Sequence, residues 1–366
     1  MHGSIKTFLG LTFILFVKTQ KFQSCNLRNG SVGICQHILD CISAKNELQQ
    51  GLRPVSCGFS GRYPTVCCDQ NETEIVEGKI SNRISEKKCQ EYLKLNIKTT
   101  ITTTTSTTPK SVMRHNNFRH IVGGVNAHFE EYPHMAVLGY GPSKNIEFKC
   151  GGSLISEQFI LTAAHCLESK DFGPVSLVRL GDLDIAATTE FAEPQNFKIQ
   201  EVFSPPDYNF ESFYHDIALI KLDRPAIYTI YVKPACLQSK FDLDQNNLTI
   251  TGWGALYYGG KLHTYLQKAN LHNLPAKNCA RSIRAQPRLA NGFDEELQIC
   301  GGDPETMVDA CHGDSGGPIQ MKIQHLPQMY RVVGITSFGN NCGLVPGVYT
   351  RVSNYISWIE SIVWPN

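Results

Sequence analysis

The sequence predicts an all-β barrel or sandwich over residues 121–366, with a helix at its C-terminal end and a small disulfide-rich module ahead of it. Short β-rich runs separated by Gly, Pro and Asn turns indicate the strands, among them residues 176–180, 217–222, 248–251, 331–337 and 348–352. An apolar stripe of helical spacing indicates the helix: Tyr355, Ile356, Trp358, Ile359, Ile362 and Val363. Six cysteines crowded into residues 25–68 indicate the module, because so small a unit cannot fold around an apolar core alone.

The chain begins with a segment typical of secreted proteins. Lys6 precedes an apolar run over residues 8–17, which is too short to span a bilayer but fits the core of a signal peptide. We therefore expect a signal peptide over residues 1–24, cleaved somewhere within residues 18–24. The mature protein is expected to be secreted and to have no membrane span.

The composition argues against several classes of partner. A formal net charge of +1 and 18% charged residues argue against nucleic acid or an anionic membrane as the main partner. Fourteen cysteines without a Cys-x-x-Cys spacing argue against zinc and for disulfide bonds made in an oxidising compartment. We expect no required metal or cofactor.

Residues 69–120 separate the cysteine-rich module from the β-rich region. They lose hydrophobic periodicity, and residues 99–109 form a Thr-rich, mucin-like tract. We interpret the tract as extended and O-glycosylated; an unmodified flexible linker is the alternative, and both make the segment a boundary. Three Asn-x-Ser/Thr sequons are candidate N-glycosylation sites, at Asn29, Asn71 and Asn247.

A candidate nucleophile lies in the run Gly313-Asp314-Ser315-Gly316-Gly317. A serine crowded by glycines lets a substrate backbone approach closely and lets main-chain N–H groups point outward. Such outward donors are the elements of an oxyanion hole. A Gly-rich turn with a capping Asp is the alternative when this run is taken alone.

Two further residues are candidates for the partners of that serine. His165 ends an apolar run, beside small residues and next to Cys166. Asp216 directly precedes an apolar run that predicts a buried strand, where an unpaired charge would be costly. Taken singly, a loop histidine and an acid at a strand edge would explain both.

Taken in chain order, His165, Asp216 and Ser315 follow the order of the chymotrypsin-type catalytic triad. With their surroundings they make residues 121–366 resemble a trypsin-like serine protease, through Ile121-Val122-Gly123-Gly124, Cys150-Gly151-Gly152-Ser153-Leu154, Thr162-Ala163-Ala164-His165-Cys166, Asp216-Ile217-Ala218-Leu219, Thr251-Gly252-Trp253-Gly254 and Gly313-Asp314-Ser315-Gly316-Gly317-Pro318. The resemblance implies two six-stranded antiparallel β-barrels with the triad in the cleft between them.

The resemblance also implies the role of each catalytic residue. Ser315 attacks the scissile carbonyl, and His165 takes its proton and later returns it to the leaving amine. Asp216 fixes the imidazole and stabilises its charged form. The backbone N–H groups of Gly313 and Ser315 form the oxyanion hole.

The same resemblance implies a pocket for a basic side chain. Asp309 matches the pocket floor, where a carboxylate attracts the guanidinium of Arg or the ammonium of Lys. Gly339 and Gly347 match the pocket walls. Phe338 is a departure, because the family usually has Trp at this position.

In this family, cleavage before the Ile-Val-Gly-Gly motif creates an amine that pairs with the Asp preceding the catalytic Ser, here Ile121 and Asp314. The uncut chain is therefore expected to be an inactive zymogen. The junction Arg119-His120-Ile121 places His120 before the cut, so we expect an activating protease of non-tryptic specificity and no efficient self-activation.

Seven cysteines precede this junction and seven follow it, so full pairing needs at least one bridge across the cut. The resemblance implies the pairs Cys150–Cys166, Cys279–Cys300 and Cys311–Cys342. That leaves Cys236 after the junction and, once six cysteines pair within residues 25–68, Cys89 before it. A Cys89–Cys236 bridge would hold the pro-region on after activation.

The cysteine order of residues 25–68 resembles a clip domain, whose pairing would be Cys25–Cys67, Cys35–Cys57 and Cys41–Cys68. Clip-domain serine proteases act in arthropod haemolymph cascades, and the non-basic junction resembles the snake/persephone-like group, whose members activate another clip protease. The implied partners are an upstream activating protease, a downstream clip-protease zymogen and a serpin-type inhibitor. The implied setting is an immune or developmental cascade of the Toll or melanisation type.

The sequence offers two alternative functions and one candidate metal site. A non-catalytic clip-protease homologue that acts as a cascade cofactor is disfavoured, because Ser315 and both partners are present. A digestive trypsin is disfavoured by His120 and by the bridged pro-region. Calcium could bind the loop of residues 181–196, which carries Asp182, Asp184, Glu190 and Glu193, although acidic surface loops are more often solvated than metal-bound.

Overall fold

The computed structural model describes residues 24–37, 41, 44, 47–48, 51–60, 63–69, 83–103, 124–187, 194–243, 245–255, 262–302, 313–323, 328–339 and 345–365. The chain forms two compact units, which divide between Ser81 and Asn82. Among the described residues, no helix is long and apolar enough to cross a membrane. The expected signal peptide lies outside them, apart from Ser24.

The N-terminal unit is a four-stranded antiparallel sheet with three disulfide bonds. Its strands lie in the order β1-β2-β4-β3 and are β1 (Ser24–Asn26), β2 (Val32–His37), β3 (Ser56–Ser60) and β4 (Tyr63–Asp69). The bonds are Cys25–Cys67, Cys35–Cys57 and Cys41–Cys68, the pairs that the clip resemblance implies. The buried cluster around them is small, so covalent links must stabilise what so little apolar burial cannot.

Helix α1 (Ile84–Thr103) belongs to the second unit. The interpretation of residues 99–109 as extended is wrong at its start, because the helix continues to Thr103. The first half of α1 buries Ser85, Cys89 and Tyr92, which share one helical face. These buried side chains anchor the first half of the helix to the rest of the second unit.

The first barrel follows the short strand β5 (Val125–Asn126). Its strands are β6 (Met135–Tyr140), β7 (Glu147–Leu154), β8 (Phe159–Thr162), β9 (Glu168–Ser169), β10 (Gly173–Leu180), β11 (Gln195–Phe197), β12 (Ile199–Phe203) and β13 (Ala218–Leu222). They pair in the order β11-β10-β6-β7-β8-β13-β12, with β9 beside β10. The run of β11 and β12 pairs with β10 at its start and with β13 at its end, so the sheet wraps round on itself.

The second barrel closes by hydrogen bonds throughout. Its strands are β14 (Cys236–Leu237), β15 (Asn247–Gly252), β16 (Gln267–Asn273), β17 (Gln298–Gly302), β18 (Pro318–Lys322), β19 (Tyr330–Phe338) and β20 (Gly347–Arg351), and helix α2 (Ala276–Ser282) lies between β16 and β17. The order is β14-β19-β18-β15-β16-β17-β20, β5 pairs with β16, and β19 also pairs with β20. The predicted all-β, two-barrel class is confirmed.

The C-terminal helix α3 (Ile356–Val363) is also confirmed. It follows a 3₁₀ turn, Val352–Tyr355, and buries Ile356, Ile359 and Val363. These side chains join the core of the first barrel, whereas the chain enters the helix from β20 of the second. The helix therefore ties the two barrels together.

Candidate active site

His165 and Asp216 come together because two paired strands of the first barrel end beside each other. His165 lies in the 3₁₀ turn Ala164–Leu167 after β8, and Asp216 lies just before β13. Strands β8 and β13 are antiparallel, with Ala218 opposite Thr162. His165 Nδ1–H donates to Asp216 Oδ2 at 2.7 Å, and the His165 backbone N–H donates to Oδ1 at 2.9 Å.

The second barrel supplies further donors to Asp216. Ser337 Oγ donates to Asp216 Oδ2 at 2.6 Å, and Thr350 Oγ1 donates to the Asp216 backbone carbonyl at 2.7 Å. Asp216 is only 2% exposed, and a buried carboxylate is tolerated when it is paired and hydrogen-bonded. Sequence reasoning missed Ser337 and Thr350, whose only local signal is a hydroxyl within a buried strand.

The two partners shift each other's pKa in opposite directions. Burial alone would raise the pKa of Asp216, but the charge and hydrogen bonds of His165, together with the Ser337 hydroxyl, hold it below its usual value. Burial alone would lower the pKa of His165, but the charge and hydrogen bond of Asp216 raise it on balance. The pair therefore favours a carboxylate that supports positive charge on the imidazole.

Ser315 belongs to the second barrel and lies in the turn that precedes β18. This turn packs against segments of the first barrel next to the His165–Asp216 pair. The Gly151 N–H donates to the Ser315 carbonyl at 2.8 Å, and the Gly316 N–H donates to the Thr336 carbonyl at 2.9 Å. Gly316 has φ +77°, and a Cβ there would collide with Thr162 Oγ1 and lie 3.2 Å from Cys166 Sγ. Only glycine fits this close approach, which holds Ser315 against the segment that carries His165.

The backbone N–H groups of Gly313 and Ser315 have the features of oxyanion donors. Gly313 has φ +98°, a conformation that favours glycine. Within the described residues, the backbone N–H groups of Gly313 and Ser315 make no backbone hydrogen bond. Such uncommitted donors can bind a developing negative charge.

A disulfide bond anchors the histidine. Cys150 on β7 is bonded to Cys166, which directly follows His165, and Cys166 Sγ lies 3.6 Å from His165 Nε2. The sequence separation of 16 corresponds to roughly 3 kcal/mol of stabilisation in the chain-entropy model. The bond keeps the histidine turn in place against the barrel.

Asp314, the predicted partner of the new amine, is buried behind Ser315 and 3% exposed. Its Oδ1 accepts the Gly254 N–H at 2.8 Å. A Cβ on Gly252 or Gly254 would collide with this carboxylate, which explains the two glycines of the Thr-Gly-Trp-Gly motif. The predicted activation residues His120 and Ile121 lie outside the described residues.

The predicted pocket for a basic side chain is described in part. Gly347 is buried at the start of β20, and Gly339 is exposed just beyond β19. Phe338, the departure from the usual Trp, stacks on Phe213. The predicted pocket floor, Asp309, lies outside the described residues.

Covalent links join α1 and α2 to the barrels. Cys89 of α1 is bonded to Cys236 of β14, with a Cα–Cα distance of 5.0 Å, and Cys279 is bonded to Cys300. Cys279–Cys300 is a pair that the resemblance implies, and Cys89–Cys236 is the bridge predicted from the two cysteines left over. The expected Cys311–Cys342 pair lies outside the described residues.

The remaining predicted sites lie at the surface or beyond the described residues. Asn29 and Asn247 are exposed, and the third sequon, Asn71, is not described. In the loop considered for calcium, Asp182 pairs with Arg179 at 3.1 Å, which uses charge that a cation would need. Asp184 accepts the Ala186 N–H, and Glu190 and Glu193 are not described. The calcium site stays a prediction.

Comparison with known proteins relates the whole chain to a group of proteases. The family model described as Trypsin matches residues 121–359. Serine protease snk of Drosophila melanogaster is 34% identical over 350 residues, which cover 92% of this chain and 77% of that protein. Phenoloxidase-activating factor 1 of Holotrichia diomphalia is 31% identical over 96% of this chain and 97% of its own. Serine protease Hayan of Drosophila melanogaster is 38% identical over 68% of this chain and 39% of its own.

Proposed function

The chain belongs to the trypsin family, among the arthropod clip-domain serine proteases, and from that premise we propose that it is a secreted serine endopeptidase zymogen. We propose that cleavage after His120 activates it and that it then cuts after Arg or Lys in a downstream protease zymogen. The proposed catalytic activity rests on the His165–Asp216 pair, which hydrogen-bond donors from both barrels hold beside the turn that contains Ser315.

In the proposed reaction, Ser315 Oγ attacks the carbonyl carbon of the scissile bond and its proton passes to His165. The tetrahedral oxyanion accepts hydrogen bonds from the N–H groups of Gly313 and Ser315. His165 then protonates the leaving amine, and water attacks the acyl-enzyme by the same route. Asp216 stays ionised throughout, in keeping with its lowered pKa.

Specificity for Arg and Lys rests on residues that match the family's pocket. Asp309 would supply the negative charge at its floor, and Gly339 and Gly347 would leave room for a long side chain. A confined carboxylate binds guanidinium in a bidentate manner, so Arg is the better substrate. Peptides with Arg, Lys and Leu at the cleaved position measure this preference directly.

Activation is proposed to depend on the amine of Ile121 reaching Asp314. Loss of one partner from a buried ion pair typically costs ~3–5 kcal/mol, enough to switch the neighbouring oxyanion turn. Cleavage after Arg119 would leave His120 on the new terminus, one residue too long for this pairing. The activator is therefore proposed to have non-tryptic specificity.

After activation, the pro-region is proposed to stay attached through Cys89–Cys236. Noncovalent contacts support the same attachment. Ser85 Oγ donates to Glu360 of α3 at 2.6 Å, and the Tyr92 hydroxyl donates to the Ile155 carbonyl at 3.1 Å. The clip module would then travel with the catalytic unit.

The cascade role rests on the relatives. One is named a phenoloxidase-activating factor, and another is the serine protease snk. By analogy we propose an extracellular haemolymph cascade of the Toll or melanisation type. The proposed partners are an upstream protease, a downstream clip-protease zymogen and a serpin-type inhibitor.

The rival functions predict different behaviour. A non-catalytic homologue would not react with a serine-directed phosphonate after cleavage, whereas the proposed enzyme is labelled at Ser315. A digestive trypsin would be activated by trypsin itself. Deletion of His120, which places Arg119 directly before Ile121, should make the zymogen activatable by trypsin, while the natural chain stays inactive after the same treatment.

The direct experiment uses a zymogen with an enteropeptidase site in place of residues 116–120, so that the cut falls immediately before Ile121. The cut protein is expected to bind an arginyl phosphonate in equal molar amount and to hydrolyse arginyl peptides. The uncut protein and cut Ser315→Ala serve as controls. A cut protein that is folded yet neither labelled nor active would refute the proposal.

A further inference from the structure

Two stacked phenylalanine rings, with an arginine guanidinium close to one of them, lie beside the His165–Asp216 pair. Phe213 and Phe338 stack with ring centroids 4.0 Å apart and an interplanar angle of 15°. The guanidinium of Arg288 lies 4.1 Å from the Phe213 centroid and 5.8 Å from that of Phe210. We call Phe210, Phe213 and Phe338 the aromatic ledge. Lys170 adds a second cation, with Nζ 5.5 Å from the Phe210 ring.

The ledge adjoins both the catalytic pair and the proposed pocket. Phe338 follows Ser337, whose hydroxyl donates to Asp216, and it precedes Gly339 at the pocket wall. Phe213 lies three residues before Asp216. The ledge therefore lies between the catalytic pair and the wall of the proposed pocket, next to where residues preceding the cleaved Arg or Lys would bind.

The charge of Arg288 is held in this position by backbone contacts. Arg288 Nη2 donates to the Phe210 carbonyl at 2.8 Å, and the Phe213 N–H donates to the Arg288 carbonyl at 2.8 Å. The charge also reaches the catalytic centre: burial and the charge of Arg288 both lower the pKa of His165, against the opposing effect of Asp216. Arg288 thus lies within electrostatic range of a bound substrate.

The two cations remain open to an acidic group. Arg288 and Lys170 are both exposed. Within the parts of the chain that the structure describes, neither forms an ion pair with Asp or Glu. A cation that already stacks on an aromatic ring and keeps unused N–H donors is well placed to bind a carboxylate.

We propose that Arg288, supported by the aromatic ledge, selects substrates that carry an acidic side chain within the three residues preceding the cleaved Arg or Lys. This inference rests on the proposed function and names the substrate class of that site. The apolar stem of Glu or Asp packs against the ledge, and its carboxylate pairs with the guanidinium of Arg288. Lys170, which also lies over the Phe210 ring, adds to the same positive field.

The test compares fluorogenic peptides with Arg at the cleaved position and Glu, Gln or Lys at each of the three preceding positions in turn. Exposed ion pairs are individually weak, but a change from Glu to Lys both removes attraction and adds repulsion, so we expect about a tenfold difference in kcat/KM. In R288E the preference for Glu over Lys should vanish or reverse. The matched control is R284E, a charge reversal in the same segment at an exposed Arg that has no cation–π contact with any aromatic ring in the described part of the chain.

Titration of active sites with an arginyl phosphonate fixes the concentration of working enzyme for each variant, and R288Q provides a milder second variant. Equal cleavage of Glu and Lys peptides by fully titrated natural enzyme would overturn the inference while leaving the proposed function intact. An equal loss of preference in R284E and R288E would overturn it as well. Absence of phosphonate labelling in the cut natural protein would overturn both proposals.

Discussion

Glu86 of helix α1 is predicted to stabilise the catalytic unit through Arg331 on β19. Its two carboxylate oxygens accept hydrogen bonds from Arg331 Nη1 and Nη2, both at 2.9 Å. Ser239 Oγ donates to the same carboxylate at 2.6 Å. The side chains are only 14% and 21% exposed, so water screens the pair weakly.

The expected loss of stability on removing Glu86 follows from the intermediate burial of the Glu86–Arg331 pair. Breaking a fully buried pair typically costs ~3–5 kcal/mol, whereas exposed pairs contribute ~0–1 kcal/mol. Glu86→Ala leaves Arg331 with the Leu237 carbonyl as an acceptor, so we expect a loss of about 2 kcal/mol. For a unit of this size that corresponds to a decrease in Tm of roughly 4–8 °C.

The assay is thermal unfolding of the uncut, inactive chain without reductant, so that Cys89–Cys236 stays intact. The matched control is Glu91→Ala on the same helix. Glu91 pairs with Lys88 at 2.9 Å but is 57% exposed, so its loss should change stability by about 0.5 kcal/mol or less. Equal shifts in Tm for the two variants would refute the reasoning.

The pH dependence gives this prediction a second readout. Burial alone would raise the pKa of Glu86, but hydrogen bonds from Arg331 and Ser239 and the charge of Arg331 lower it below 4.5. The stabilisation is therefore fully present above pH 4.5 and is lost as the pH falls through the lowered pKa. The stability difference between the natural chain and Glu86→Ala should shrink over that range, and a constant difference would contradict the ion-pair explanation.

Four further predictions concern the catalytic residues and the tether. Ser315→Ala should lower kcat by on the order of a millionfold, measured on cut protein with an arginyl peptide; near-normal turnover would refute the role of Ser315. Ser337→Ala removes a hydrogen bond to ionised Asp216 and should lower kcat about tenfold with little change in KM. In the natural enzyme, kcat/KM should rise with pH through the pKa of His165, which lies above 6.5, because only the neutral imidazole accepts the serine proton; a midpoint below 6.5 would contradict the raised pKa. Cys236→Ser should release the pro-region from the cut protein on non-reducing gels, while the cut natural protein stays joined until it is reduced. If the cut variant migrates with the cut natural protein, a bridge other than Cys89–Cys236 holds the pro-region.

The catalytic pair could be predicted from the sequence because each motif is short and local. His165 and Asp216 each lie within a few residues of recognisable neighbours, and their order along the chain identifies the arrangement. Ser337 and Thr350 could not be found in this way, since they reach Asp216 from strands more than 120 residues further along the chain. Hydrogen bonds between barrels leave no periodic pattern in either strand.

Helix α1 shows a different limit of the sequence. The mucin-like composition of the Thr-rich tract and the loss of hydrophobic periodicity around it predict an extended segment. The signal that could have corrected this is the spacing of Ser85, Cys89 and Tyr92, which repeats with a helical period over barely two turns. The helix is stabilised by its disulfide and by Glu86 and Ser85, and these contacts exist only once the barrels have formed.

Activation through the amine of Ile121 can be measured as the pre-steady-state burst of product from an arginyl ester, before and after cleavage between His120 and Ile121. We predict a burst of one product per molecule only in the cut protein, and its loss when the new amine is blocked by acetylation. A burst of the same size and rate from the uncut chain, or one unaffected by acetylation, would contradict this prediction.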